Sequence, residues 1–165
     1  MPANVMRNLV LLALLSLGGH AVAATPLDLL NQAFAAVGNK TEVCRQQRDG
    51  QPPLAQPSLK RLQQFPQAQV ITFLDFAYEQ TMNRCMQPEL GELLLLHAEL
   101  RQTSADNGLL ATVAQQQALL ISPTSVERRL QYQALPAAVR VDLETMTEFH
   151  QPFDGMAVMA QLYPE

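Results

Sequence analysis

The sequence predicts an all-α fold: a single-domain, irregular helical bundle of about six or seven helices. Three observations point there. Beyond residue 24, apolar residues recur at spacings of three and four; the glycines Gly38, Gly50, Gly91, Gly108 and Gly155 fall at or near the ends of the periodic stretches; and prolines stand near their starts. A chain of 165 residues and 18.2 kDa suits one core. No repeat of about 20–50 residues is visible, which disfavours a solenoid.

Residues 1–23 read as a secretory signal peptide. Arg7 supplies the cation, Leu9 to Leu17 the apolar run, and Ala21-Val22-Ala23 the small-residue cleavage site. The run is well short of the roughly 20 residues needed to span a bilayer. No cysteine precedes Cys44, so the signal lacks a lipidation point. The expected location is the periplasm or outside the cell, with no stable membrane insertion after cleavage. Cleavage after Ala23 leaves ten basic against fifteen acidic residues, a net charge of −5.

The helical domain, 24–165, opens on Thr25-Pro26-Leu27-Asp28: an N-capping hydroxyl, a proline at the first helical position and an acid that complements the helix dipole. Leu27, Leu30, Phe34 and Val37 give the first helix its apolar face, and Gly38 is expected to stop it. Thr41 to Arg48 supplies a further turn or two. Pro52, Pro53 and Pro57 make 49–57 a proline-rich loop, because proline cannot donate to a backbone ladder. Ser58 is expected to cap a short helix to Phe65. Gln67 to Met86 is the longest candidate helix, with Val70, Phe73, Leu74, Ala77, Thr81 and Cys85 on one face. Pro88 and Glu89 then open another helix, reaching Gln102 and containing Leu93-Leu94-Leu95-Leu96. Four consecutive leucines point to every side, so this helix is expected at the bundle centre, buried on most of its circumference.

Ser104 to Gly108 is a turn, and Leu109 to Ile121 a helix. Thr124 and Glu127 have capping-box spacing ahead of a helix to Leu135. Pro136 opens the last long helix, through Phe149. Val139 to Glu144 also alternates with period two and leaves a strand open, although Val139, Leu143, Met146 and Phe149 fit a helical face. Met156 to Leu162 adds one or two turns.

Cys44 and Cys85 are the only cysteines, and in an oxidising compartment an even pair reads as one structural disulfide. They lack the Cys-x-x-Cys spacing of a redox pair. Past the signal only His97 and His150 remain, too few for a zinc site once the thiols are oxidised, so no metal and no cofactor are expected. His97, among leucines, reads as a satisfied core histidine. Glu148 and His150, two apart on a helix, point away from each other. No Gly-x-Ser-x-Gly elbow or phosphate-binding glycine loop is present, and no Trp offers a sugar platform. Carboxylate pairs for a hydrolase would have to come from Glu89, Glu92 and Glu99 or from Asp142, Glu144 and Glu148; acids on amphipathic helices are ordinarily the wet face.

Charged residues make up only 16% of the chain, and nineteen glutamines fill the deficit. With net charge −4, no global positive field attracts nucleic acid or anionic lipid. Lys60-Arg61 and Arg128-Arg129 are the paired cations, and both read as solvated faces. If functional, Arg128 and Arg129 suit a carboxylate on a protein partner, and the outer side of the leucine helix, at Leu95 and Leu96, offers an apolar contact surface. The expectation is a non-enzymatic exported protein that binds another protein, as an accessory or adaptor of an envelope or secretion system. The alternatives are an inhibitor or immunity protein that occludes an enzyme or toxin, and a carboxylate-dependent hydrolase.

Overall fold

The computed structural model describes residues 24–120 and 124–164; the signal-peptide reading on 1–23 lies outside the described residues. Within them the chain forms seven α-helices and one short 3-10 turn, with no strand. They are α1 (Pro26–Asp49), α2 (Gln56–Leu62), α3 (Gln67–Thr103), α4 (Asn107–Leu120), α5 (Ser125–Gln133), α6 (Ala137–Glu144), the 3-10 turn (Thr147–His150) and α7 (Gly155–Leu162).

Helix α1 begins as its sequence dictates. Thr25 Oγ1 accepts from Asp28 N at 3.2 Å while Asp28 Oδ2 accepts from Thr25 N at 3.0 Å, a reciprocal capping box. It does not stop at Gly38: one helix runs through to Asp49, and Gly38 keeps a negative φ. Glycine inside a helix costs about 0.5–1 kcal/mol relative to alanine. That cost is offset by long-range burial on both sides of it, at Val37 and at Cys44, which is wholly buried. Thr41 Oγ1 donates to Val37 O at 2.8 Å and also reaches Met86 Sδ at 3.1 Å, tying this stretch to α3.

Pro88 does not divide the next two expected helices either. Helix α3 is one piece of 37 residues with Pro88 inside it, about 55 Å long at 1.5 Å per residue. Proline has no N–H to give the carbonyl four residues back, which is that of Arg84. Contacts with α1 hold the helix through this defect. The Cys44–Cys85 disulfide, Cα to Cα 6.0 Å, joins α1 to α3 three residues before the proline.

Two apolar cores lie along α3. The first joins Leu59 and Leu62 of α2, Val70, Phe73 and Leu74 of α3, Tyr132, Leu143 and Phe149, and then Phe153, Val158 and Leu162 near α7. Its aromatic rings meet edge to face: Phe73–Phe149 at 5.3 Å and 83°, Phe149–Phe153 at 4.8 Å and 68°. The second joins Leu30 and Val37 of α1, Leu93 and Leu100 of α3, and Leu109 and Val113 of α4.

The four-leucine run is therefore not buried on most of its circumference. Leu93 is wholly buried, Leu96 is half-buried against the second core, and Leu94 and Leu95 are 40% and 68% exposed. Only α1 and α4 contribute to this core from outside α3, so one side of α3 is covered and the other is left open.

Several boundaries also move. The irregular stretch is 51–55 rather than 49–57, since α1 runs to Asp49 and Pro57 sits in the first turn of α2, where a missing N–H costs nothing. Ala55, not Ser58, is the N-cap residue of α2, and the helix ends at Leu62. Thr124 occupies the N-cap position of α5 with helical φ and ψ and no capping hydrogen bond, so no capping box forms there. Val139–Glu144 is helical, but the helix ends at Glu144 rather than Phe149. Arg61 Nη2 and Thr145 Oγ1 both donate to Asp142 O, at 2.8 and 2.7 Å, taking up a carbonyl the helix would otherwise use.

Candidate functional site

Helix α5 crosses α3 and is docked by polar contacts. Arg128 Nη1 lies 3.4 Å from Glu79 Oε2, and Ser125 Oγ donates to Glu79 Oε1; the Glu79 side chain is only 14% exposed. Arg128 is thus bound to its own protein. The same docking carries Arg129 alongside the outer face of α3. The Arg129 side chain is exposed and makes no hydrogen bond or ion pair among the described residues, and that of Arg84 on α3 is in the same state.

Between α3 and the end of α4 and start of α5 runs an open groove of about 600 Å³. Its lining combines Arg84, Arg128 and Arg129 with Leu90, Leu94 and Leu120, and its only acid is the already engaged Glu79. Of the four residues singled out in the sequence, Arg128 and Arg129 meet in this groove. Leu95 does not line it, and Leu96 faces the second core. Leu94 lines it instead, with Arg84 and Leu90. Arg84 and Leu94 share a stripe, Gln80, Arg84, Gln87, Gly91 and Leu94 at spacings of three and four, which was hidden because a break at Pro88 assigns its two ends to different helices.

A second cleft of about 390 Å³ adjoins the groove and shares Gln80 and Arg84 with it. Its floor is aromatic: Phe73, Phe149, and Phe76 stacked on Tyr132 at 3.9 Å and 6°. Glu144 and His150 stand at its rim, both exposed. The Tyr132 hydroxyl donates to Glu144 Oε1. Burial first, and that bond second, push the phenol well above its ordinary range, so it stays protonated and acts as a donor. His150 Nε2 lies 3.0 Å from Glu144 O, and since a carbonyl only accepts, Nε2 carries the proton.

Of the carboxylates considered for hydrolysis, Asp142, Glu144 and Glu148 are held by neighbouring side chains. Asp142 is paired with Arg61, whose hydrogen bonds hold its carboxyl below the usual range. Glu148 accepts from the buried Ser58 hydroxyl, and that bond likewise lowers it. Lys60-Arg61 is therefore not simply a solvated face: Arg61 reaches Asp142 and Thr145 and fastens α2 to the end of α6. On α3, Glu92 and Glu99 are exposed, and Glu89 Oε2 is buried with no hydrogen-bond partner. His97 is wholly buried, with Nε2 3.0 Å from Gln116 Oε1 and Nδ1 lacking a partner, so it is only half satisfied. No group of three His, Cys, Asp or Glu side chains among the described residues is placed to hold a metal. No described helix is long and apolar enough to cross a membrane.

Fold and cysteines define the class: a single-domain, all-α bundle stapled by one disulfide. Comparison with protein families, curated proteins and solved structures gives no match for this chain.

Proposed function

We propose that the chain is exported and works outside the cytoplasm by binding another protein, as an accessory or adaptor of an envelope or secretion system, with the α3 groove as its contact face. One observation carries this reading. In a chain of net charge −4, three arginines and three leucines are gathered on one open groove. A concave surface that combines apolar and cationic side chains suits a protein partner. The signal-like residues 1–23 and the disulfide support export. The structural engagement of Asp142, Glu144 and Glu148 supports binding over carboxylate hydrolysis.

The test is photocrosslinking in the producing cells, with a benzophenone side chain in place of Leu94 and, as a control at an exposed position outside the groove lining, in place of Met156. The reading expects a discrete protein adduct from Leu94 and a periplasmic or secreted chain whose first residue is Ala24. A soluble hydrolase or toxin as the adduct would turn the adaptor into an inhibitor. No adduct from Leu94, or a cytoplasmic chain still carrying Met1, would overturn the proposal.

A further inference from the structure

We propose that the groove receives an acidic amphipathic helix of the partner, and that one large apolar side chain of that helix is seated in the adjoining aromatic cleft. This rests on the binding reading above and specifies its partner. Charge comes first. Arg84 and Arg129 are exposed with no hydrogen bond or ion pair among the described residues, and the single acid of the lining is neutralised by Arg128. The groove is therefore cationic on a chain that is acidic as a whole, and its complement is a segment rich in Asp and Glu. Two unpaired guanidiniums are few for a nucleic-acid backbone, where several phosphates are neutralised together.

Shape and apolar surface come second. Glu79 to Leu94, the α3 stretch that lines the groove, spans about 22 Å at 1.5 Å per residue, the length of about four turns of a docked helix. Leu90, Leu94 and Leu120 supply the apolar seam, as in helix-in-groove recognition. The aromatic cleft opens at the Gln80 and Arg84 end, and its volume of about 390 Å³ accommodates one large side chain. Aromatic surface beside a charged rim, which a partner side chain would cover, is where binding energy concentrates.

The test uses the full, oxidised chain and a displayed library of random 16-residue peptides. The proposal expects enriched peptides to be net acidic, with Asp or Glu repeating every three or four positions and one Trp, Phe, Leu or Met. An enriched peptide should lose tenfold or more in affinity when that apolar residue becomes Ala, and tenfold or more against the Arg84→Glu/Arg129→Glu variant. Neither arginine side chain has a partner to lose among the described residues, so circular dichroism should show the variant folded. Replacing the peptide's acids by Lys should restore binding to that variant.

Enrichment of neutral or basic peptides, no enrichment, or affinity indifferent to the double substitution would overturn the inference. So would tighter Arg84- and Arg129-dependent binding of anionic phospholipid vesicles or of a short single-stranded oligonucleotide. If the inference fails while Leu94 still crosslinks a protein, the binding reading stands with a different partner chemistry; if Leu94 captures nothing, both fall.

Discussion

Breaking the Cys44–Cys85 bridge should destabilise the protein by about 4 kcal/mol, most of it through the unfolded state. The bridge closes a loop of 41 residues. The chain-entropy relation then gives about 13 cal/mol/K, or about 4 kcal/mol at 25 °C. That is a large part of the 5–15 kcal/mol that holds a typical domain. Three samples separate the contributions in urea unfolding followed by circular dichroism: oxidised protein, reduced protein and the Cys44→Ala/Cys85→Ala variant. Cys44 is wholly buried, so the reduced protein keeps the sulfur volume and reports the loop term, while the alanines add a small cavity. With a slope of about 2 kcal/mol/M, the midpoint of the reduced protein should fall by about 2 M. The loss should also be local. The second core, through which α1 is buried, contains six residues against thirteen in the first. Amides of α1 should therefore lose exchange protection before those of Val70 to Ala77. A loss under about 1 kcal/mol at unchanged slope, or an even loss of protection across both cores, would refute this reasoning.

Other consequences follow from the polar contacts and from Pro88. Gln116→Leu leaves buried His97 with neither ring nitrogen paired and should cost about 1–3 kcal/mol in thermal unfolding, whereas His97→Leu/Gln116→Leu should recover most of it; equal loss in both variants would contradict the pairing. Pro88→Ala supplies the missing N–H within α3 and should raise the melting temperature; a lower one would mean that the ring's packing outweighs its backbone defect. Asp142 and Glu148 are held below ordinary carboxylate values near 4. Their contribution is thus complete above about pH 5 and is lost as pH falls through the folded values. Arg61→Ala and Ser58→Ala should each flatten the decline in urea midpoint between about pH 5 and 2; an unchanged profile in both would contradict those assignments.

The helical class and the disulfide were legible because each depends on information close at hand: a spacing of three and four, and an even pair of cysteines. The cap at Thr25 was likewise readable; the cap of α7, Asp154, which accepts from Met156 N and Ala157 N at 2.9 and 3.1 Å, was not singled out. Gly38 and Pro88 misled because local preference was overruled from a distance: each lies in a helix fixed by the other helix and by the bridge between them. The leucine run misled for the opposite reason. Its pattern contains no record that only one side of this half of α3 is covered, so the run as a whole looked like core and Leu96, half-buried against the second core, looked like outer surface beside the exposed Leu95. Arg61 and Ser58 looked like a surface cation and a cap because their partners, Asp142 and Glu148, lie 81 and 90 positions away. Among the nineteen glutamines Gln116 alone is buried, and it is there for His97. Half of the groove was visible as Arg128-Arg129; Arg84 and Leu94 became visible only when α3 proved continuous.

The most direct test of the account is a hydrogen-exchange footprint of the chain with the partner captured through Leu94, set against the free protein. Slowed exchange should fall on α3 between Glu79 and Leu94 and on α5, and the Arg84→Glu/Arg129→Glu variant should abolish it. Protection centred instead on Ile71 and Met156, or a footprint unchanged in that variant, would contradict the assignment of the groove as the binding face.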